Sequence, residues 1–274
     1  MTIPTVTLNN GVPMPQLGFG VFQVPNDETE AAVSEALRAG YRSIDTAKVY
    51  GNETGVADAI RASGIPRDEL FVTTKLWNDD HGYDAALRAY DTSTRALGLD
   101  HVDLYLIHWP APSADRYVET WRALEKLLAD GRVRAVGVSN FQPAHLRRLF
   151  DETGTVPAVN QIELHPYLQQ AELRGLHAEH GIVTEAWSPL AKGGDLLAEP
   201  VVTELAERHG RTPAQVVLRW HLSLGNVVIP KSVTPSRIRE NLDVFGFDLA
   251  EEDLAALGTL ERGHRTGPDP DNFG

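Results

Sequence analysis

The sequence predicts an α/β fold: a (β/α)8 TIM barrel with an N-terminal β-hairpin and an extra C-terminal helix and tail. Three observations predict it. Eight short apolar segments, at 17–22, 42–45, 70–76, 102–108, 133–139, 158–163, 182–187 and 227–230, alternate with helical patterns from residue 17 to residue 245. The length of 274 residues matches one barrel of about 250 residues plus small additions. Polar residues able to do chemistry fall at the C-terminal ends of successive strands, where barrel enzymes place them. A single domain over 1–274 is expected.

The elements follow in order. Residues 3–15 hold Asn9-Asn10-Gly11 between two short β-prone runs, a hairpin signal, and are expected to lie over the barrel bottom. After strand 17–22, residues 30–39 place Ala32, Val33, Ala36 and Leu37 on one face, with Gly40 as a stop. Strand 42–45 ends in Asp45, and Tyr50 follows at a glycine turn. Strand 70–76 carries Lys75 near its end, and strand 102–108 finishes at His108. The next helix, 117–130, is built on Val118, Trp121, Leu124, Leu127 and Leu128 and closed by Gly131. Helical patterns at 146–150, 173–180, 201–209 and 214–224 separate the remaining strands, with Pro143 and Pro213 where a first turn tolerates proline. The strands are apolar on both faces, as in a buried parallel sheet. Trp121 and Trp220 sit within helical patterns and are expected in the core. Residues 249–260 form an extra amphipathic helix, and the Gly-, Pro- and Asp-rich tail 261–274 is expected to be a loop.

A doubly wound dinucleotide fold would need Gly-x-Gly-x-x-Gly opening a helix. Gly18-Phe19-Gly20 is followed by Gln23 rather than glycine, so that architecture is set aside. The formal charge of −13, from 38 acidic and 25 basic side chains, disfavours nucleic acid and anionic membranes as partners. The absence of cysteine excludes disulfides, thiolate zinc sites and a cysteine nucleophile, and it fits a reducing cytosol. No apolar run reaches a membrane span, and the first residues show no leader pattern. A cytoplasmic location is therefore expected.

Asp45, Tyr50, Lys75 and His108 form the candidate catalytic set. A free phenol has a pKa of about 10 and is a poor acid near neutrality. A neighbouring ammonium favours the phenolate and eases proton release. Lys75 can supply that charge, Asp45 can hold Lys75 charged, and His108 can donate a hydrogen bond to a carbonyl oxygen or shuttle the proton. Any one of them alone reads as an ordinary cap or half-buried side chain. All four on consecutive strand ends point to a proton donor for a carbonyl.

These residues lie in runs that carry a family resemblance: Gly40-Tyr41-Arg42-Ser43-Ile44-Asp45-Thr46-Ala47 with Tyr50-Gly51-Asn52-Glu53, Val102-Asp103-Leu104-Tyr105-Leu106-Ile107-His108-Trp109-Pro110, Gly137-Val138-Ser139-Asn140-Phe141, Asn160-Gln161-Ile162-Glu163-Leu164-His165-Pro166 and Ile229-Pro230-Lys231-Ser232. Over nearly its full length the chain resembles the aldo-keto reductases. Within them it looks most like the prokaryotic branch that includes 2,5-diketo-D-gluconate reductases. The resemblance implies an NADPH-dependent oxidoreductase that reduces aldehydes or ketones, such as keto-sugars or α-dicarbonyls, with Tyr50 as proton donor.

It also implies roles for other positions. Ser139, Asn140 and Gln161 would hydrogen-bond the nicotinamide carboxamide, and Trp187 would stack on its ring. Ser188 and Leu190 would lie along the pyrophosphate. Lys231, Ser232 and Arg237 would clamp the adenosine 2′-phosphate at a helix N-terminus, a ready anion site, and Val233 belongs to the same cofactor-contacting stretch. Glu240 and Asn241 would contact adenine. Arg239 reads as an ordinary surface arginine. Phe22, Trp77 and Trp109, just after strands one, three and four, would line the substrate mouth, and 264–273 would fold back over it. Two positions depart from the pattern: Lys48, expected to add a cation near the rim, and Ala191-Lys192-Gly193-Gly194 in the loop after strand seven. No metal is expected, and His165, His177 and His180 form no ligand set. A monomer acting on a small carbonyl compound is expected. The rivals are a cofactor-sensing barrel without turnover and a metal-dependent barrel hydrolase, for which His-x-His after strand one is missing.

Overall fold

The computed structural model describes residues 3–274. Met1 and Thr2, which open the stretch expected to hold no leader, lie outside them. Strands β3 (Phe19–Gly20), β4 (Ser43–Asp45), β5 (Phe71–Leu76), β6 (Val102–Ile107), β7 (Val133–Ser139), β8 (Val159–Glu163), β9 (Val183–Trp187) and β10 (Val227–Val228) form one parallel sheet in chain order. A parallel bridge between Leu17 and Val228 closes the first strand on the last. The closing strands are shorter than the sequence suggests. Gly20 N–H still reaches Pro230 O at 3.2 Å, but proline has no N–H to return, so the ladder stops.

Helices α1 (Asn26–Ala39), α4 (Tyr117–Ala129), α5 (Pro143–Glu152), α6 (Ala171–His180), α8 (Pro200–His209), α9 (Pro213–Ser223) and α11 (Glu251–Gly258) fall where the apolar spacing places them. Helices α2 (Glu53–Ser63) and α3 (Tyr83–Leu97) are additional to the sequence reading, as is the single turn α7 (Asp195–Ala198); α10 (Pro235–Leu242) follows β10. Helix α9 shows why proline at a first turn is tolerated. Thr212 Oγ1 accepts from Gln215 N–H at 3.3 Å, and Gln215 Oε1 accepts from Thr212 N–H at 3.0 Å. This reciprocal cap satisfies donors that the helix cannot. Trp121 and Trp220 are buried in the core, as expected.

The period of two along each strand decides what faces the barrel axis. In β6, Leu104 and Leu106 belong to the inner cluster, while Tyr105 and Ile107 join the layer under the helices. Phe71, Ala135, Val159 and Val227 also belong to the inner cluster. The hairpin β1 (Thr5–Thr7) and β2 (Pro13–Pro15) pairs antiparallel and adds Leu8 and Met14 to that cluster, plugging the bottom. Carried upward, the same parity turns Asp45, Lys75, His108, Ser139, Gln161, Glu185 and Trp187 inward at the opposite end.

Candidate active site

Asp45 ends β4, Lys75 lies one residue from the end of β5, and His108 follows β6, its N–H bonded to Leu76 O at 3.2 Å. Tyr50 ends a 3₁₀ turn over Lys48–Tyr50. Gly51 leaves that turn at φ 66°, a left-handed conformation that glycine adopts without steric cost. Asn52 then anchors the loop from a fully buried position. Its amide donates to Val21 O and Val24 O, both at 3.0 Å, and its Oδ1 accepts from Thr46 Oγ1 at 2.8 Å.

Lys75 is wholly buried, and its Nζ donates to Asp45 Oδ1 at 2.6 Å and to Thr46 O at 2.9 Å. The same Nζ lies 5.2 Å from the centre of the Tyr50 ring. The His108 ring meets Tyr50 edge-on, with centroids 5.7 Å apart. All four candidates thus converge. Burial pulls the Lys75 ammonium down, but Asp45 and Tyr50 outweigh it and hold it above its ordinary value. Burial pushes the Tyr50 phenol up, Lys75 pulls it back, and the net direction is upward. Burial, helped by Lys75, drives His108 well below the ordinary imidazole value. Histidine is therefore neutral here, which suits a hydrogen-bond donor and not a cationic proton shuttle.

The polar set above β7, β8 and β9 is knit together. Ser139 Oγ donates to Gln161 O at 2.8 Å, and Asn140 Nδ2 donates to His108 O at 2.9 Å and Ser139 Oγ at 3.1 Å. Asn140 Oδ1 accepts from Trp187 Nε1 at 2.8 Å, fixing the indole. Gln161 Nε2 donates to Asp45 Oδ2 and to Glu185 Oε2, each at 2.8 Å. Asn140 and Ser188 both hold positive φ, at 64° and 47°, conformations costly for non-glycine residues and concentrated at functional sites.

The second candidate cluster lies after β10. Lys231, in the loop between β10 and α10, and Arg237, in the first turn of α10, are exposed, and Ser232 Oγ accepts from Thr234 N–H at 3.1 Å. Val233 is exposed beside them. Arg239 instead pairs with Glu35, the surface role expected of it. Neither Lys231 nor Arg237 forms an ion pair among the described residues, so both remain available to an anion. This feature and the inward polar set fit a phosphorylated dinucleotide.

Some side chains sit differently from expectation. Lys48 is no free rim cation, because its Nζ lies 2.5 Å from Asp80 Oδ2. Leu190 is partly buried and packs its side chain against the core. Glu240 Oε1 accepts from Thr212 Oγ1 at 2.8 Å, which ties α10 to α9. Its other oxygen takes no hydrogen bond among the described residues. Asn241 beside it is buried.

The mouth is aromatic. Phe22 is half exposed and lies 5.1 Å from the Tyr50 ring, and Trp77 meets His108 at 5.2 Å. Trp109 is buried beneath Phe273, their centroids 4.6 Å apart, so the tail does fold back. Sequence reasoning missed the group that fastens it. Glu163, at the end of β8, accepts from Thr266 N–H at 2.5 Å, Thr266 Oγ1 at 2.7 Å and Gly267 N–H at 3.1 Å. A Cβ on Gly267 would lie 2.4 Å from the Trp187 ring, so only glycine permits this approach. Lys192 Nζ, in the loop after β9, donates to Thr266 O at 2.7 Å. Glu185 was also missed. The signal for both carboxylates was parity, since each stands two residues from an inward-facing candidate on the same strand. Among the described residues no three His, Cys, Asp or Glu side chains are grouped to hold a metal.

Comparison with known proteins agrees with this geometry. A model described as the aldo/keto reductase family matches residues 16–262. An aldo-keto reductase of Mycolicibacterium smegmatis is 58% identical over 270 residues, covering 98% of each chain. Methylglyoxal reductase DkgA of Escherichia coli is 52% identical over 276 residues, covering 100% of each. The crystal structure of a Gox0644 mutant in complex with NADPH superposes with a TM-score of 0.96 at 50% identity, covering 100% of each chain.

Proposed function

We propose that Tyr50 is the proton donor of this chain, which belongs to the aldo/keto reductase family and is an NADPH-dependent oxidoreductase acting on carbonyl compounds. The observation that carries this is the buried Lys75–Asp45 pair with its ammonium 5.2 Å from the Tyr50 ring. Bound NADPH supplies the hydride that the carbonyl carbon accepts. Lys75 opposes the burial that would make the phenol too weak an acid. Neutral His108 donates a hydrogen bond to the carbonyl oxygen and holds it against Tyr50, an orienting role. Ser139, Asn140, Gln161 and Trp187 seat the nicotinamide end, with Ser188 and the backbone at Leu190 along the pyrophosphate. Lys231, Ser232, Val233 and Arg237, with Glu240 and Asn241, hold the adenosine end. Phe22, Trp77 and Trp109 border the substrate.

The substrate class best supported is a small α-dicarbonyl, because Phe273 and Trp109 narrow an aromatic mouth and DkgA bears the name methylglyoxal reductase. The test is NADPH consumption with methylglyoxal, compared with keto-sugars and aromatic aldehydes. No carbonyl-dependent consumption of NADPH would refute the reading. Among the described residues no helix is long and apolar enough to cross a membrane. We place the chain in the cytoplasm as a one-domain monomer without nucleic-acid partners, on its charge and lack of cysteine.

Arg237 should choose between cofactors. Its planar fork of donors suits a phosphate, and a hydrogen bond to a charged group contributes roughly 1.5–3 kcal/mol, or about 10- to 150-fold. Arg237→Ala should weaken NADPH by about that factor and leave NADH almost unchanged. Dissociation constants at two ionic strengths check this, since salt should weaken NADPH more. Equal losses for both cofactors would move the 2′-phosphate contact elsewhere.

The tail should gate the carbonyl. Truncation before His264 removes Phe273 from Trp109, so KM and carbonyl preference should change. The sequence alone suggests no effect on the cofactor. The bond from Lys192 to Thr266 O adds that cofactor release should also quicken. Stopped-flow release of NADP checks the second effect, and an unchanged carbonyl profile would exclude the first.

A further inference from the structure

Glu185 is a buried carboxyl in mid-strand, 1% exposed, that the mechanism above does not use. It stands in register with Gln161 on β8 and Val227 on β10. The Gln161 amide nitrogen carries two hydrogens. One goes to Asp45 Oδ2 and the other to Glu185 Oε2, both at 2.8 Å. That leaves Oε1 as the one polar atom of the Gln161 side chain open to a ligand, and it can only accept.

We propose that Glu185 is a positioning residue for the cofactor: by taking the second Gln161 amide hydrogen it locks that side chain with its carbonyl oxygen free, selecting a ligand that presents an N–H donor. This rests on the reading that Gln161 contacts the nicotinamide carboxamide, whose amino group is such a donor. Without Glu185 the Gln161 amide could turn and offer N–H instead.

The charges around Glu185 support a neutral carboxyl. The groups that face it are Asp45 from β4, Lys75 from β5 and Tyr50 from the loop between β4 and α2. Its direct neighbours Gln161 and Val227 carry no charge. Lys75 is already matched by Asp45, so a second anion would be uncompensated. Burial first, and Asp45 second, push the Glu185 carboxyl up to about 8, against the pull of Gln161 and Lys75. Its Oε1 is buried without a partner, which suits a protonated oxygen better than a carboxylate.

Two measurements test this. The first is binding of NADP and of its 3-acetylpyridine analogue, which has an acceptor and no N–H, followed by tryptophan fluorescence. Wild type should prefer NADP by about 3- to 10-fold, the worth of one neutral hydrogen bond. Glu185→Gln, which can still accept, should keep the preference. Glu185→Leu, with Glu185→Met as a second apolar replacement, should bring it toward one. Apolar variants that keep the full preference would overturn the proposal. Wild type that fails to bind NADP would instead remove the reading beneath it.

The second measurement uses the cofactor-free protein and compares the Tm of wild type and Glu185→Gln across pH. A carboxyl raised to about 8 keeps its proton in the folded chain while the unfolded chain loses it near the ordinary value of about 4.3. Wild type therefore loses stability as pH climbs through that window, and Glu185→Gln does not. The Tm difference should move in favour of Glu185→Gln from about pH 5 to about pH 8 and then level. A flat difference would overturn the neutral carboxyl.

Discussion

Tyr50→Phe should reduce turnover by about 10²–10⁴-fold, the usual worth of a positioned general acid, while NADPH still binds. The substitution deletes one hydroxyl and keeps the ring, so the contacts to Phe22 and His108 survive. Nothing else nearby can replace the lost donor. His108 is neutral and holds its proton for a hydrogen bond, and Lys75 is committed to Asp45 and Thr46 O. The loss should therefore appear in kcat far more than in cofactor affinity. Single-turnover rates with a saturating carbonyl, beside a fluorescence titration with NADPH, separate the two. Near-normal turnover in the Phe variant would take Tyr50 out of the chemistry.

How far this was legible in the sequence follows from the period of two. Strand ends are marked by the switch from apolar residues to Asp45, Lys75 and His108, so the barrel and its mouth could be read together. The converging geometry then follows from parity, because inward positions on neighbouring parallel strands share one lumen. What parity could also have revealed is the carboxyl pair Glu163 and Glu185. Lying inside strand patterns, they read as strand residues of no special use. Helices α2 and α3 were harder to see. Helix α2 follows directly on the Tyr50 loop and carries only Val56 and Ile60 as large apolar residues, and α3 is rich in alanine, threonine and charge. Contacts made across sequence distance were not legible at all. Nothing local says that Lys48 finds Asp80 or that Glu240 finds Thr212. Nor does it say that His108 is dry enough to stay neutral, since burial is a property of the closed barrel. Arg237, exposed and without an ion pair among the described residues, was legible, because a cation at a helix start after the last strand stands out in a chain of charge −13.

Lys75→Met should be as damaging to turnover as Tyr50→Phe, and it should also cost stability. The phenol loses the one cation that counters its burial, so the acid becomes weaker in the pH range where the enzyme works. Asp45, 3% exposed, is left as a buried anion with only Gln161 to answer it. Breaking a buried pair by removing one partner typically costs about 3–5 kcal/mol. Adding Asp45→Asn removes the stranded charge, so the double variant should regain much of the lost Tm. It should not regain turnover, because the ammonium beside Tyr50 is still missing. The two losses thus have separate causes and one variant pair divides them. Chemical denaturation and steady-state rates on wild type, Lys75→Met and Lys75→Met/Asp45→Asn make the comparison. Recovery of both stability and turnover in the double variant would mean that Lys75 serves only to neutralise Asp45, and the tuning of Tyr50 would have to come from elsewhere. Recovery of stability alone places the ammonium in the chemistry.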